Sequence, residues 1–319
     1  MQLLFGSRPI PAFAAGCVAT IGNFDGVHLG HQALLAQLKA QSIQKQQPML
    51  VILFEPQPGE YFRGNQAPAR LSSLREKLGL LQQCQVDYVY CLRFNEVLAN
   101  MTAETFADRY FFSQLNVSYL LLGEDFRFGR NRSGDVTLLK SLAANAACQV
   151  DIFPEYRVQS LRVSSTHIRT ALAQGDLTSA AVLSGRPYSM CGRVIHGAGQ
   201  GRKWGIPTAN LAMRRKALPL SGVFCVRTRL PDGRQVNGVA NLGSRPTIDG
   251  SKNVLEIHLF DFNQTLYGDL LEVSFLHKLR DEIRFASLDA LIAQIHDDVA
   301  IAKNWFEHKE RGAEADGRI

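Results

Sequence analysis

No apolar run in this chain approaches the roughly 20 residues that a membrane-spanning helix requires, and no two of its cysteines stand at disulfide-framework or metal spacing. The first absence argues against a helical membrane protein. The second leaves Cys17, Cys84, Cys91, Cys148, Cys191 and Cys225 scattered through apolar stretches, where they read as buried free thiols. The amino-terminal MQLLFGSRPIPAFAAG has an apolar start too short for a secretory signal and is broken by Arg8, Pro9 and Pro11, so a cytoplasmic protein is expected. A dominant charge of one sign is also missing. Lys and Arg number 35 against 29 Asp and Glu, and the net +6 is spread over both halves among acidic neighbours. That balance suits small polyphosphate substrates at least as well as nucleic acid, so small-molecule partners are expected, with no nucleic-acid or membrane partner. Nothing in the sequence sets an oligomeric state. With 319 residues the chain exceeds what one hydrophobic core usually spans, which implies two domains.

What is present is concentrated in residues 18–31, VATIGNFDGVHLGH. Val18 to Ile21 read as a buried strand, Gly22 and Gly26 permit a tight reversal, and Leu34, Leu35 and Leu38 mark a helix that begins near His28. His28 and His31, at i and i+3, would then share one face of a helix start, where unpaired N–H groups and the dipole favour an anionic phosphate. A zinc-protease helix would need i,i+4 histidines with Glu after the first, and neither is found. Residues 22–31 resemble the signature of nucleotidyltransferases that move AMP or CMP onto a phosphate. Imidazole donors can stabilise charge building at an α-phosphate, and no protein nucleophile is then needed.

The first half alternates strands (17–21, 49–54, 87–91, 117–122, 149–153) with helices (28–45, 71–82, 102–114, 135–147). This predicts a Rossmann-like α/β domain with a parallel sheet, whose ligands bind beyond the carboxyl ends of the strands. Loops at that edge, FEPQPGEYF (54–62) and GEDFRFGRNRSGD (123–135), carry Phe54, Pro56, Pro58, Phe62, Phe126 and Phe128. Singly each phenylalanine reads as packing under a loop; together they suit a flat aromatic ligand. At 162–169, RVSSTHIR, the hydroxyls of Ser164, Ser165 and Thr166 would cap a helix running to about Leu183, and Arg162 and Arg169 could grip phosphates. A plain capped helix with two solvated arginines accounts for the same residues.

Beyond a joint at 184–190 the class changes. Segments 190–196, 222–230, 234–243, 254–260 and 270–276 read as strands of a small antiparallel barrel, followed by an amphipathic helix over 288–308. The loop HGAGQGRKWGIPTANL (196–211) fits neither a P-loop nor a dinucleotide fingerprint. Glycines such as Gly201 and Gly205 could still fold backbone N–H groups around phosphates, with Thr208 and Asn210 offering neutral oxygens to Mg2+; a structural turn is an equal reading. Glu256 shares a strand face with His258 and is a candidate base, although an exposed strand glutamate is commoner.

In order along the chain, GNFDGVHLGH, FEP-x-P, GEDFRFG, SST-x-IR, GRPY, GRKWGIPTANL, GSRPT and LEIHLFDF resemble the bacterial bifunctional riboflavin kinase and FAD synthetase family over residues 18–306. The resemblance implies an FMN adenylyltransferase domain at 1–185 and a riboflavin kinase domain at 186–319. Riboflavin would be phosphorylated by ATP to FMN, and FMN would attack the α-phosphate of a second ATP to give FAD and pyrophosphate. It further implies that His28 and His31 contact ATP phosphates and that Gly22, Phe24, Asp25, Ser164, Ser165, Thr166 and Arg169 serve the nucleotide, supported by Arg162. Phe62, Asp125 and Phe128 would face flavin. Thr208 and Asn210 would hold Mg2+ and nucleotide, and Glu256 would take the proton of the ribityl 5′-hydroxyl. Arg280 and Asp281 would lie in a flavin-side loop. Three positions depart from the family pattern: Gln57 in place of His, Asp125 in place of Asn, and Phe224 in place of Tyr. An anionic Asp125 sits poorly beside an FMN phosphate, so it is expected to face the ring or the ribityl chain. Two rivals are a flavin-binding regulator without turnover and another small-molecule nucleotidyltransferase; the second leaves the C-terminal half unexplained.

Overall fold

The computed structural model describes residues 1–6, 13–197, 201, 204–213, 215–247 and 250–315, and the side chains of all these except 244–247, 250–252, 310 and 312–315. By packing the chain divides into two compact units, Met1–Pro68 with Leu74–Ser165, and Ala69–Ser73 with Thr166–Ile319. The packing boundary at Ser165 falls ahead of the 184–190 joint read from the sequence.

In the first unit β1 (Gln2–Phe5), β2 (Cys17–Ile21), β3 (Met49–Glu55), β4 (Tyr88–Arg93), β5 (Val117–Gly123) and β6 (Gln149–Phe153) form one sheet, all pairs parallel, in the order β1-β4-β3-β2-β5-β6. Burial on both faces explains the unbroken apolar runs of β3 and β5. Leu50 and Ile52 face a core with Phe106, Phe111 and Leu139, while Met49, Val51 and Leu53 face Leu34, Leu35, Leu38 and Leu81. The covering helices are α1 (Leu29–Lys45), α2 (Pro58–Arg63), α3 (Leu74–Gln83), α4 (Glu96–Ala99), α5 (Ala103–Phe106) and α6 (Val136–Asn145). After α5 the chain continues as a π-helical turn, Ala107–Gln114, so the single helix expected at 102–114 is two kinds of helix. Strand order reverses at β2. The chain builds β3 and β4 on one side and returns with β5 on the other, opening a crevice at the carboxyl ends of β2 and β5.

β1 was not legible from its four residues; it adds to the outer edge of β4. The two-residue strands β7 (Arg157–Val158) and β8 (Leu161–Arg162) form a hairpin, which places Arg162 on a strand rather than at a helix start. The helix expected to run to Leu183 is two helices, α7 (Ser165–Ala173) and α8 (Leu177–Ser184). Gly175, at φ +76°, turns the chain between them, and the side chain of Asp176 caps α8 by accepting from the Ser179 N–H.

The second unit carries a closed antiparallel barrel of β9 (Ser189–Ile195), β10 (Ala209–Ala212), β11 (Gly222–Arg229), β12 (Gln235–Thr247), β13 (Gly250–Leu259) and β14 (Leu270–Arg280), ordered β10-β13-β12-β11-β14-β9. β10 lies inside the stretch read as a loop, and its pairing with β9 and β13 closes the barrel. α9 (Leu288–Ala315) packs on the outside. Along β11, Val223 and Cys225 meet Ala302 and Phe306 of that helix, whereas Phe224 turns inward, wholly buried and edge-on to Phe275 at 5.2 Å. Such a pair adds about 1 kcal/mol beyond its buried area, and the Phe224 departure therefore lies in the barrel core.

Candidate functional site

Between β2 and α1 the backbone folds through an unusual turn. Phe24, Gly26 and Val27 all have positive φ, at 45°, 80° and 39°, a region that a phenylalanine and a β-branched valine adopt only when their surroundings impose it. Those surroundings are specific. Lys77 Nζ donates to the Asn23 carbonyl at 2.5 Å, Ser165 Oγ to the Asp25 carbonyl at 2.9 Å and Gln32 Nε2 to the Val27 carbonyl at 2.8 Å. His28 is the N-cap of α1: its Nδ1 accepts the His31 N–H at 3.3 Å, which leaves Nε2 to carry the proton of the neutral ring. The two imidazoles stack at 3.6 Å, with the Phe24 ring 4.8 Å from His31.

These rings border a cavity of about 290 Å3 at the crevice between β2 and β5, lined by Thr20, Gly22, Phe24, His28, Gly30, His31, residues 123–126 and 153–156, and residues 162–164. The buried Thr20 Oγ1 has no hydrogen-bond partner among the described residues, a donor left for a ligand or water. Of the residues read from the sequence, Gly22, Phe24, His28, His31, Asp125, Arg162 and Ser164 converge on this cavity. Asp25 is buried and does not line it. Ser165 acts through the Asp25 carbonyl, and Thr166 and Arg169 belong to the second unit, where Arg169 Nε donates to the Ala69 carbonyl at 2.6 Å. Arg162 is held by Asp125 and, at 3.2 Å, by Glu155. Asp125 thus meets a guanidinium, which compensates the charge expected to be awkward there.

The aromatic residues divide. Phe54 and the exposed Phe62 gather round Phe94, each at 5.7 Å, and Tyr61 joins at 5.3 Å. Pro58 opens α2, and Pro56 precedes it by two residues. Phe94 and Tyr61 were missed, although an aromatic just past the end of β4 was the available signal. Phe128 does not face the cavity. Its ring is buried against Phe106 and Phe111, and Phe126, stacked on it at 5.3 Å, is the ring that lines the cavity.

In the barrel a cavity of about 320 Å3 is lined by Gly201, Thr208, Asn210, Asn241, Glu256, His258 and Arg280 among others. Register explains the grouping. Glu256 pairs with Asn210 of β10 on one side and Asn241 of β12 on the other, so a carboxylate stands between two amides. Thr208 also borders a second cavity of about 330 Å3, lined by Pro207, Phe262 and Tyr267, so the two cavities meet at its side chain. A Cβ on Gly201 would collide with the Ile206 carbonyl and stand 3.3 Å from Thr208 Oγ1, and one on Gly197 would overlap the Asn210 side chain. Glycine alone lets the loop lie on both polar groups, a cradle that fits a hard cation sharing its shell with phosphates. Gly205 takes φ +76° in the same loop. Among the described residues no three His, Cys, Asp or Glu side chains form an all-protein metal cage. Residues 198–200 and 202–203 of this loop lie outside the described residues.

Arg280 lines the cavity but is committed to Asp298 of α9, with Nε 2.9 Å and Nη2 2.7 Å from its carboxylate oxygens. Asp281 points outward to Lys278. Burial holds the Glu282 carboxyl, at the cavity wall, above the usual carboxylate range.

A family model for FAD synthetase matches residues 10–167, and one for riboflavin kinase matches residues 184–306. The bifunctional riboflavin kinase/FMN adenylyltransferase of Haemophilus influenzae is 45% identical over 306 residues, 96% of this chain and 99% of its own. Its namesake in Pseudomonas fluorescens is 45% identical over 304 residues, 95% of this chain and 97% of its own. A crystal structure titled as a macrolide-efflux protein from Streptococcus pneumoniae aligns with TM-score 0.81 at 28% identity, covering 95% of this chain and 99% of that one. No described helix here is long and apolar enough to cross a membrane. The chain belongs to the bifunctional riboflavin kinase/FMN adenylyltransferase family, enzymes that make FMN from riboflavin and FAD from FMN.

Proposed function

We propose that residues 1–185 carry the adenylyl transfer and residues 186–319 the kinase reaction, with ATP used at both. The observation that carries this is the separation of two chemistries: stacked imidazoles at a sheet crevice in one unit, and a carboxylate between two amides in the other. In the first, His28 and His31 donate to the phosphoryl oxygens of ATP as an FMN phosphate oxygen attacks the α-phosphorus and the bond to the pyrophosphate breaks. Gly22, Phe24, Ser164 and Arg162 shape that pocket; Asp25 and Ser165 brace it, and Thr166 and Arg169 keep only the role that the resemblance gives them. Phe126 and the Phe54, Phe62 and Phe94 cluster offer faces to the isoalloxazine.

In the barrel the Glu256 carboxylate accepts the ribityl 5′-hydroxyl proton, and that oxygen attacks the γ-phosphorus with ADP leaving. Thr208 stands where the flavin and nucleotide cavities meet. Thr208 and Asn210 are the residues that would hold Mg2+, which when bound neutralises phosphate charge and orients the transferring group. Free thiols and ATP-dependent chemistry fit a cytoplasmic enzyme.

Incubation with riboflavin, ATP and Mg2+, followed by chromatography, tests the reading. FMN should appear first and FAD after it. His28→Ala should abolish FAD while sparing FMN; Glu256→Ala should stop riboflavin phosphorylation yet leave FAD formation from supplied FMN. Riboflavin returned unchanged by the native protein would overturn the assignment.

A further inference from the structure

Among the described residues Lys77 is the one lysine whose side chain is buried, with 1% of its surface exposed. It sits on α3, one turn before the buried Leu81, where a leucine or methionine would serve packing alone. Removing an ammonium from water is unfavourable unless its protons find acceptors, so the position calls for a role that an apolar residue cannot fill. One acceptor is the Asn23 carbonyl at 2.5 Å.

That carbonyl belongs to the strained turn. In a trans peptide the C=O of Asn23 and the N–H of Phe24 point in opposite directions, so a bond that fixes the first also orients the second. Phe24, held at φ +45°, lies in the cavity wall with its ring against His31. A non-glycine residue stays in such a conformation only when its neighbours over-determine it.

We propose that Lys77 is a positioning residue for adenylyl transfer. Its Nζ donor locks the Asn23–Phe24 peptide, and through Phe24 it keeps His31 and the stacked His28 in register with the ATP phosphates. This rests on reading residues 22–31 as the ATP phosphate site.

Lys77→Met keeps the shape of the stem and removes the donor. The expected result is a kcat for FAD formation from FMN lower by about 10²-fold per folded molecule, with riboflavin phosphorylation by the same preparation within twofold of native and KM for FMN within threefold. A merely structural lysine would lower the thermal midpoint or the yield and leave kcat per folded molecule alone. If Lys77→Met does not accumulate folded, Lys77→Gln decides. Its neutral amide is a shorter donor, and FAD formation should fall by about tenfold. FAD formation within threefold of native in the folded variant overturns the proposal. A parallel His28→Ala separates the premises: if it spares FAD formation the phosphate-site reading fails, whereas if it abolishes FAD formation and Lys77→Met does not, only the role of Lys77 fails.

Discussion

His28 and His31 lie face to face, 12° from parallel, while the backbone N–H of His31 donates to Nδ1 of His28. The His28 imidazole therefore both caps the helix and stacks on the second ring at the cavity wall, and Gly30 is what leaves it room. A Cβ at position 30 would stand 3.3 Å from His28 Nδ1 and 3.4 Å from Cε1, tight enough to displace the ring by a few tenths of an ångström. Gly30→Ala should lower FAD formation about tenfold and leave FMN formation unchanged, read by chromatography of both flavins. A native FAD rate would mean that the ring's placement does not govern transfer.

The corresponding test in the barrel is Gly197→Ala. The added methyl overlaps the Asn210 side chain, which must leave its present place in the cavity it lines with Thr208 and Glu256. Riboflavin phosphorylation should fall at least tenfold with a raised KM for ATP, and FAD formation from supplied FMN should persist. Unchanged kinase kinetics would remove Asn210 from the nucleotide site.

Burial pushes the thiols of Cys17, Cys148 and Cys225 up to about 12. At pH 8 almost none of each is thiolate, the reactive form, and Cys17 and Cys225 sit in packed cores besides. An aromatic disulfide reagent should therefore label the native protein first at the half-buried Cys84 and Cys191, and all six cysteines after denaturation. Fast native labelling at Cys17, Cys148 or Cys225 would contradict the packing.

The strand and helix alternation, the barrel and the imidazole site were legible because each is periodic or locally dense in information. β3 announces itself by five consecutive buried apolar residues, Met49 to Leu53, and the turn at 22–31 by glycines beside histidines. What escaped depends on distant partners. Ala209 to Ala212 form a strand only because β9 and β13 stand on either side. The break at Gly175 hides inside an apolar spacing, Ile168, Leu172, Leu177 and Ala180, that looks continuous. Phe126 and Phe128 are equivalent in composition, and only the close approach of Phe106 and Phe111 decides which one enters the core. Lys77 reads locally as a solvated charge in LREKLG, since nothing in its neighbourhood reveals a carbonyl 54 positions earlier in the chain.

Arg280 and Asp298 carry the last prediction. The carboxylate is 4% exposed and receives Nε and Nη2 of Arg280 together with Gln294 Nε2 at 3.1 Å, so it joins the end of β14 to α9 at the wall of the barrel cavity proposed to take flavin. Removing one member of such a pair strands the other: Asp298→Ala should destabilise the protein by about 3 kcal/mol, somewhat less to the extent that Arg280 keeps a fifth of its side chain in water. Replacing both by apolar residues of similar volume, Arg280→Met with Asp298→Leu, removes the stranded charge and should restore most of that stability in denaturant unfolding. Riboflavin KM separates the roles. If Arg280 matters only as one half of a fastener, the double variant recovers KM along with stability. If the guanidinium is also part of the cavity wall that the flavin meets, KM stays raised severalfold in a protein of nearly native stability, and that is the outcome expected from its place beside Phe285 and Glu282.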